Sequence, residues 1–346
     1  MSARLERAGA PGPGLKTHEA DVSEESMSEQ SMRAVTIEEF GGPDVLTTGR
    51  VARPAPLPTE VLVRVHAAGI NPVDWKTRAG HGMAGLQTLP LILGWDVSGV
   101  VEEVGFGVTT LAPGDEVYAM PWFPRPAGGY ADFVTAPSRQ FARKPASLSH
   151  VEAAALPLAA LTAWQALVDT ARVTGGQRVL VHAGAGGVGH LAVQFAKHLG
   201  AEVIATAREP RHTWLRELGA DETIDYTRQR FEEATGEVDV VIDLIGAADD
   251  TDVRSVSVTR RGGLIVSIPG GVSDPLAATA AQAGVRTSPL LVEPDAAALT
   301  AIAGLVDSGA VRVEVERTFP LEQAAEAHRL GETNRTRGKL VLEVAR

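Results

Sequence analysis

The chain has 346 residues, of which 44% are hydrophobic and 22% charged, and its formal net charge is −11. This length exceeds what one hydrophobic core usually serves, so we expect two domains; the acidic balance argues against a nucleic-acid partner, and no apolar run approaches the roughly 20 residues of a membrane span. The sequence has no cysteine, which excludes disulfides, thiolate nucleophiles and cysteine-ligated zinc and agrees with an expected cytoplasmic location.

Residues 1–31 are rich in Gly, Pro, Ser and Glu and contain no apolar stretch of the kind that a signal peptide requires. Such a polar segment cannot bury enough surface to offset the entropy that is lost on ordering. We therefore predict a disordered N-terminal extension. It is expected to end near Met32, where residues 32–42 are typical of a first strand followed by a turn.

From residue 32 to residue 153, short β-branched runs are separated by Gly and Pro, which is typical of a β-rich barrel or sandwich. The segment forms most of the first predicted domain. Its expected strands are Val61–Val65, Val97–Val101, Glu116–Tyr118 and Ala131–Val134.

The pattern changes near residue 150. Ser149 with Glu152 three residues later forms a capping pair, and an Ala- and Leu-rich helix is predicted to run to about Ala171. Beyond it, apolar strands alternate with helices, which predicts a doubly wound parallel sheet over residues 154–308. The expected strands are Val179–Val181, Glu202–Thr206, Val238–Ile242 and Leu264–Ile268.

The tail returns to short strands around one predicted helix, Leu321–Leu330. We expect residues 309–346 to complete the first domain. The fold class predicted from the whole chain is therefore α/β, with a β-rich domain and a second domain built on a parallel sheet.

The segment Gly184–Gly189 follows a predicted strand and opens a helix with apolar residues at helical spacing. In such a turn Gly184 makes the bend, Gly186 lets backbone N–H groups approach a diphosphate, and Gly189 lets the helix pack on the strand. The helix N-terminus adds partial positive charge for the diphosphate. The turn predicts a nicotinamide dinucleotide site, and a glycine turn without a ligand is the alternative.

The end of the second strand indicates which nicotinamide is bound. An acidic residue about 20 residues past the turn would bond the ribose 2′-hydroxyl of NAD. Here Arg208 and Arg211 occupy that region, and a guanidinium group matches a 2′-phosphate. Two solvated arginines are the alternative, and Glu209 reaches the ribose if the register shifts by one residue. The sequence favours NADPH.

Several motifs together resemble the medium-chain dehydrogenase/reductase superfamily. Within it the chain looks like the zinc-free quinone oxidoreductase branch, which includes ζ-crystallin and the plant alkenal/one oxidoreductases. The resemblance covers residues 32–346 and implies a GroES-like β-rich domain with a Rossmann domain. The motifs besides the glycine turn are AGINPVDWK (68–76), GWDVSGVV (94–101), the run from residue 156 to 164, GAD (219–221) with DY (225–226), and RGKLV (337–341).

Zinc-dependent relatives place a metal-binding Cys where Asn71 stands and a His where Trp95 stands. They also carry a cysteine-rich lobe where this chain has only Met120–Pro126. The nine histidines are scattered and do not rebuild a ligand set, so we predict no metal site. Without a Lewis acid, hydride transfer to an already polarised acceptor is favoured over alcohol oxidation.

The resemblance also implies which residues bind the cofactor. Near the nicotinamide ribose or carboxamide it places Asn71, Lys76 and Thr162, and around the diphosphate it places Gly186, Gly187, Val188 and Gly189. Near the adenosine phosphate it places Tyr226. It also implies that the cofactor is lined after a late strand by Ser267, Pro269 and Gly270 and that the cleft is closed by Arg337.

Lys76 is the candidate catalytic residue. Much of the quinone branch has Tyr at this position, whereas the alkenal-reductase group has Lys. A lysine here bonds the ribose or steadies a developing enolate, and a surface lysine beside a turn is the alternative. We assign no general acid, and water is the expected proton source.

We therefore predict an NADPH-dependent, zinc-independent reductase of quinones or of activated C=C bonds, with a small electrophilic acceptor. The resemblance further implies a homodimer. One alternative is a reductase of enoyl thioesters or of a biosynthetic intermediate, and another is a non-catalytic NADPH-binding protein, because fold does not determine function. The acceptor pocket is expected from Trp75–Leu86, Pro121–Pro126 and Pro289–Glu293.

Overall fold

The computed structural model describes residues 30–345. The predicted disordered extension lies outside the described residues except for its last two, and the first strand, β1, already begins at Ser31. No helix within residues 30–345 is long and apolar enough to cross a membrane.

The β-rich part contains a small sheet and a large one. The small sheet consists of β1 (Ser31–Ile37), β2 (Thr47–Ala52) and β4 (Leu91–Ile92). The strands of the large sheet are β3 (Glu60–Ile70), β5 (Asp96–Val104), β6 (Glu116–Ala119), β7 (Phe133–Pro137), β8 (Phe141–Arg143), β15 (Val315–Pro320) and β16 (Lys339–Glu343). Their order is β15-β16-β3-β5-β6-β8, and β7 also pairs with β3. The last strand of the chain therefore lies beside β3.

The central strand β3 leads directly into the candidate site. It is buried on both faces and pairs with β5, β7 and β16. It ends at Ile70, and α1 (Pro72–Arg78) begins two residues later. Proline suits a first helical position because its fixed φ and missing N–H are both tolerated there. The Asp74 carboxylate accepts the Asn71 backbone N–H at 2.7 Å. Asn71 is thus held at the junction of strand and helix.

The predicted long helix after Ser149 is wrong in one respect, because the structure divides it into three pieces. The capping pair is present: the Ser149 hydroxyl accepts from the Glu152 N–H at 3.3 Å, and the Glu152 carboxylate accepts from the Ser149 N–H at 2.9 Å. The pieces are α2 (His150–Ala154), α3 (Pro157–Trp164) and a π-helical turn (Gln165–Thr170). Pro157 has no N–H to continue the first piece and restricts the residue before it.

The strands of the second sheet are β9 (Arg178–Val181), β10 (Glu202–Thr206), β11 (Glu222–Ile224), β12 (Val238–Asp243), β13 (Thr259–Ser267) and β14 (Arg286–Pro289). The sheet is wholly parallel, and its order is β11-β10-β9-β12-β13-β14. This order reverses between β9 and β12, and ligands of such sheets bind outside the carboxyl ends of the strands at that point. The helices are α4 (Gly189–His198), α5 (His212–Glu217), α6 (Phe231–Ala234), α7 (Thr251–Arg254), α8 (Asp274–Ala283) and α9 (Ala296–Asp307).

The predicted fold class, an α/β chain with a β-rich domain and a doubly wound parallel sheet, is confirmed. Two local predictions differ from the structure. Ala131 forms only a single bridge and β7 starts at Phe133, because Asp132 turns its carboxylate to the backbone and guanidinium of Arg33. The C-terminal helix starts later than predicted: a 3₁₀ turn precedes α10 (Ala324–Glu332). The exact domain boundaries stay a prediction.

The two sheets are joined by one apolar core. Trp95 and Phe123 from the β-rich part pack in the same cluster as Leu299 and Ile302 of α9. The Tyr118 hydroxyl of β6 donates to the Leu299 carbonyl at 2.6 Å. Because burial makes the polar link obligatory, this bond fixes where α9 lies against β6.

Candidate functional site

The glycine turn lies at the carboxyl end of β9, where the parallel sheet reverses its order. The Gly184 N–H donates to the Thr206 carbonyl of β10 at 2.9 Å. A Cβ at Gly184 would come within 2.9 Å of the Ala205 Cβ, and one at Gly189 within 2.2 Å of the Ala183 carbonyl oxygen. Only glycine fits at either position. The turn therefore keeps its backbone N–H groups at the N-terminus of α4, which suits an anionic ligand.

His190, in the first turn of α4, holds the carbonyl side of the glycine turn. Its Nδ1 must donate, because its partner at 2.9 Å is the Gly186 carbonyl oxygen, and its Nε2 accepts from the Glu314 N–H at 3.2 Å. The ring is wholly buried, and desolvation lowers its pKa to about 4. His190 is therefore a neutral structural residue, as packing histidines commonly are.

Two residues predicted at the adenosine end meet in the structure. The Arg208 Nε donates to the Tyr226 hydroxyl at 3.1 Å. Arg208 follows β10, Tyr226 follows β11, and both are exposed, Tyr226 at 51%. Arg211 is half-buried two residues into the next turn and makes no side-chain hydrogen bond within residues 30–345. The guanidinium of Arg208 is thus steadied by an aromatic residue while it stays open to an anion.

Asn71 belongs to a buried polar group that draws on three segments of the chain. Its Nδ2 donates to Asp96 Oδ2 at 2.8 Å, and its Oδ1 accepts from the Lys339 ammonium. Lys339 also donates to the Ile70 carbonyl at 2.9 Å and lies 3.6 Å from the Asp96 carboxylate. Burial raises the pKa of Asp96 and lowers that of Lys339. The pair is therefore held together inside the protein by mutual charge compensation.

The other predicted cofactor residues are not joined to this group by side-chain bonds within residues 30–345. Lys76 is exposed on α1, and the Thr162 hydroxyl donates to the Leu158 carbonyl of its own helix at 2.6 Å. The Ser267 hydroxyl donates to the Gly271 carbonyl at 2.8 Å, which closes the turn that contains Pro269 and Gly270. The roles of these residues toward a cofactor stay predictions.

Arg337 precedes the last strand and is next to Gly338, whose N–H donates to the Ala185 carbonyl of the glycine turn at 3.0 Å. Its guanidinium forms an ion pair with Glu314 and lies 5.3 Å from the centre of the Trp214 ring. The Trp214 ring in turn stacks on His190, with ring centres 5.9 Å apart. The Nε of Arg337 is buried without a hydrogen-bond partner among the described residues. The predicted closing residue is thus near the turn and already engaged.

The positions that hold zinc in metal-dependent relatives carry side chains that do not fit a metal. The Trp95 indole N–H, which can only donate, is bonded to the Arg125 carbonyl at 2.7 Å. Asn71 is occupied by Asp96 and Lys339. No group of three or more His, Asp or Glu side chains within residues 30–345 is arranged to hold a metal ion.

Amide side chains tie the predicted pocket segments to neighbouring parts of the chain. Gln87 donates to the carbonyls of Pro124 at 2.9 Å and Met83 at 3.2 Å. Gln165, in the π-helical turn, bonds both the N–H and the carbonyl of Glu293. The loops around residues 121–126 and 289–293 are therefore braced from the interior.

Sequence reasoning missed a second buried chain of polar groups behind Asn71. Arg78, which can only donate, contacts His328 Nδ1 at 3.1 Å, so His328 carries its proton on Nε2 and donates to the Tyr130 hydroxyl at 3.1 Å. Burial lowers the pKa of His328 to about 3 and raises that of Asp74 to about 7. These residues are far apart in sequence, and no local pattern shows that they meet.

The family comparisons agree with this geometry. The model of the alcohol dehydrogenase GroES-like domain matches residues 57–146, and that of the zinc-binding dehydrogenase matches residues 218–342. The first match confirms that the β-rich domain is GroES-like. The second family is described as zinc-binding, but Asn71 and Trp95 are not side chains that could bind zinc here.

Relatives match over almost the whole described chain. The NADPH-dependent alkenal/one oxidoreductase of Arabidopsis thaliana is 36% identical and aligns with 93% of this chain and 82% of its own. The 2-methylene-furan-3-one reductase of Solanum lycopersicum is 35% identical, with 93% and 82% covered. The solved structure of the quinone oxidoreductase from Coxiella burnetii is 39% identical, covers 91% of this chain and 100% of its own, and superposes with a TM-score of 0.87. The chain belongs to the quinone oxidoreductase branch of the medium-chain dehydrogenase/reductase superfamily.

Proposed function

We propose that the chain is an NADPH-dependent, zinc-independent reductase that transfers hydride to a quinone or to the activated C=C bond of an α,β-unsaturated carbonyl. The observation that carries the proposal is the pair of side chains, Asn71 and Trp95, at the two positions where zinc-dependent relatives have metal ligands. An amide and an indole stand there, and both are already bonded within the protein. An acceptor at this cleft must therefore be polarised by its own structure, as quinones and enones are. The names of the Arabidopsis and Coxiella relatives support this class of acceptor.

The chain contributes binding, orientation and exclusion of water. When bound, the nicotinamide supplies the hydride. The glycine turn offers N–H groups and the positive end of α4 to the diphosphate. Trp95 and Phe123 pack edge to face, with ring centres 5.5 Å apart, and form part of the apolar core between the domains. Such a wall keeps water from the reacting atoms.

None of the three tyrosines is placed as a proton donor. Tyr118 donates to a main-chain carbonyl, and Tyr130 bonds His328 in the interior. Burial raises the pKa of both, which makes them poorer acids. Tyr226, which accepts from Arg208, belongs to the predicted adenosine end rather than to the nicotinamide end. We therefore propose that water supplies the proton after hydride transfer.

The bond between Arg208 and Tyr226 supports NADPH over NADH. A guanidinium that follows the second strand of the parallel sheet reaches the region of the adenosine ribose, where only NADPH carries a phosphate. Glu209 is exposed beside it, but its backbone N–H donates to Asp225 at 3.3 Å, which ties the segment to the loop of Tyr226. We propose that the remaining predicted residues, including Lys76, keep their expected roles around the same cofactor.

We further propose a cytoplasmic homodimer that pairs through an edge of the parallel sheet. Among the described strands β14 pairs only with β13, so its other edge has free main-chain groups. Two such edges satisfy one another in a symmetric dimer. Light scattering of the purified protein tests the assembly, and a monomer at micromolar concentration contradicts it.

A panel of acceptors tests the reductase activity. NADPH absorbance is followed with a quinone, an alkenal and crotonyl-CoA in separate assays, each repeated with NADH. We expect turnover with the quinone or the alkenal. Turnover of crotonyl-CoA alone supports the enoyl-thioester reductase instead. Tight NADPH binding without oxidation in any assay supports a non-catalytic NADPH-binding protein.

A further inference from the structure

Lys339 is a buried cation that the proposed chemistry does not use. It opens β16, is 3% exposed, and is the only lysine that lies against both the glycine turn and Asn71 among residues 30–345. Its ammonium faces Ile70, Asn71 and Asp96. A buried ion pair seldom adds stability over apolar residues of similar size. Its presence therefore calls for a role other than stability.

The first role is to fix which way the Asn71 carboxamide points. Its oxygen lies toward the ammonium of Lys339, and its nitrogen lies toward the carboxylate of Asp96. A flipped amide would oppose donor to donor and acceptor to acceptor. Asp96 is itself anchored, because Oδ1 accepts the Leu158 N–H at 2.7 Å. Two opposite charges thus select one orientation of a neutral side chain.

The second role is to support the glycine turn from behind. A Cβ on Gly187 would lie 2.9 Å from the Lys339 Cδ. The neighbouring Gly338 N–H donates to the Ala185 carbonyl at 3.0 Å. The Lys339 N–H donates to the Glu314 carbonyl at 2.9 Å, and the Glu314 N–H reaches the turn through His190. The C-terminal strand therefore contacts the turn at successive residues.

We infer that Lys339 is a positioning residue that holds Asn71 of the β-rich domain and the diphosphate turn of the parallel-sheet domain in register, so that one NADPH molecule meets both. The inference rests on the proposed function, since it assumes that NADPH is the ligand. The two ends of Lys339 do different things: the ammonium orients the amide, and the alkyl chain fills the space that glycine leaves open.

The test removes both buried charges together. The variant Asp96→Asn with Lys339→Met removes the ion pair as a whole, so its melting temperature should fall less than that of Lys339→Met alone. The NADPH dissociation constant should rise at least about tenfold, because the Asn71 amide loses the two charges that orient it, while the methionine side chain still fills the space beside Gly187. The KM for the acceptor should change less than the KM for NADPH.

The matched control is Lys144→Met. Lys144 is also buried, bonds the carbonyls of Pro145 and Leu148, and lies 3.3 Å from the Glu116 carboxylate, away from the turn. Its loss should leave the NADPH dissociation constant unchanged. Lys339→Arg is the second test variant, because it keeps the charge pair while its larger, planar head group crowds the Asn71 amide and the Ile70 carbonyl. It should fold and bind NADPH more weakly than the wild type.

NADPH affinity equal to that of the wild type in either folded variant overturns the inference and leaves the proposed function intact. A wild-type protein that binds NADPH but reduces no acceptor contradicts the proposed reductase, while the affinity comparison still decides the role of Lys339. A wild-type protein that does not bind NADPH overturns both.

Discussion

The two ends of the candidate cofactor site use charge in opposite ways. At the predicted adenosine end Arg208 is exposed, and within residues 30–345 its side chain bonds the Tyr226 hydroxyl alone, which leaves it open to an anion. At the nicotinamide end Lys339 and Asp96 are sealed inside and face one another across Asn71. An exposed charge selects a ligand, whereas a buried pair sets the geometry of a neutral neighbour. Substitutions at each end test this difference.

The largest effect is expected when the buried pair is broken from one side. Lys339→Met strands the Asp96 carboxylate and should lower the free energy of unfolding by about 3 kcal/mol at pH 7. The loss should shrink in acid, because burial raises the pKa of Asp96 and the protonated acid needs no cation. Urea unfolding at pH 7 and pH 5 measures both. A loss no larger than that of Lys144→Met contradicts the contrast.

The next effect concerns the neutral ring beneath the glycine turn. Burial lowers the pKa of His190 to about 4, whereas in the unfolded chain it is near 6.5. Between these two pH values the unfolded chain therefore binds a proton at His190 and the folded chain does not. The stabilising contribution of the ring is complete above the higher pH value and is lost as the pH falls toward 4. The wild-type advantage over His190→Gln should therefore fall by about 2 kcal/mol between pH 7 and pH 5.

His328→Gln is the control for that experiment. Burial lowers the pKa of His328 to about 3, so the same loss of advantage in acid is expected. His328 contacts Arg78 and Tyr130 rather than the turn, and its replacement should leave NADPH binding unchanged. A pH-independent difference for both variants contradicts the assignment of neutral buried rings.

At the exposed end, Arg208→Ala should weaken NADPH binding about tenfold and leave NADH binding unchanged, since one charge-assisted bond to phosphate is lost. Arg228→Ala is the control. Arg228 is exposed, pairs with Asp225 at 3.5 Å and lies two residues past Tyr226. Stability should be the same for both variants. Better turnover with NADH than with NADPH in the wild type removes the basis of the prediction.

The smallest effect is expected from Tyr226→Phe, which removes the hydroxyl that steadies Arg208. An exposed bond between a guanidinium and a neutral hydroxyl contributes roughly 0.5–1 kcal/mol because solvent screens the charge, so the NADPH dissociation constant should rise about threefold. Titration calorimetry resolves a change of that size. In the background of Arg208→Ala the same substitution should have no effect, and an additive loss indicates that Tyr226 contacts the cofactor itself.

The glycine turn and the place of Arg208 after the second strand could be predicted from sequence because local rules place them, and their contact with a cofactor stays a prediction. The glycine turn, α4 and β10 follow one another along the chain, and a strand end in a parallel sheet has a known relation to the turn. The sequence therefore indicated both Arg208 and Tyr226, although Tyr226 came from the resemblance. Only their mutual hydrogen bond had to come from the structure.

The nicotinamide end was not predictable in the same way. Asn71 and Lys339 are 268 residues apart, and they meet only because β16 pairs with β3 in one particular register. The motif around Lys339 was visible, yet nothing in it shows that the ammonium points inward. The break at Pro157 and the π-helical turn also depend on packing, since the Ala- and Leu-rich pattern continues through both.

The pairing of β16 with β3 also has a consequence for synthesis of the protein. The ribosome releases the glycine turn long before it releases Lys339, because the chain emerges from the N-terminal end. The parallel sheet can therefore form while its diphosphate turn still lacks the strand that backs it. Cofactor would then bind after translation is complete, and it would stabilise the folded protein rather than direct the early steps of folding.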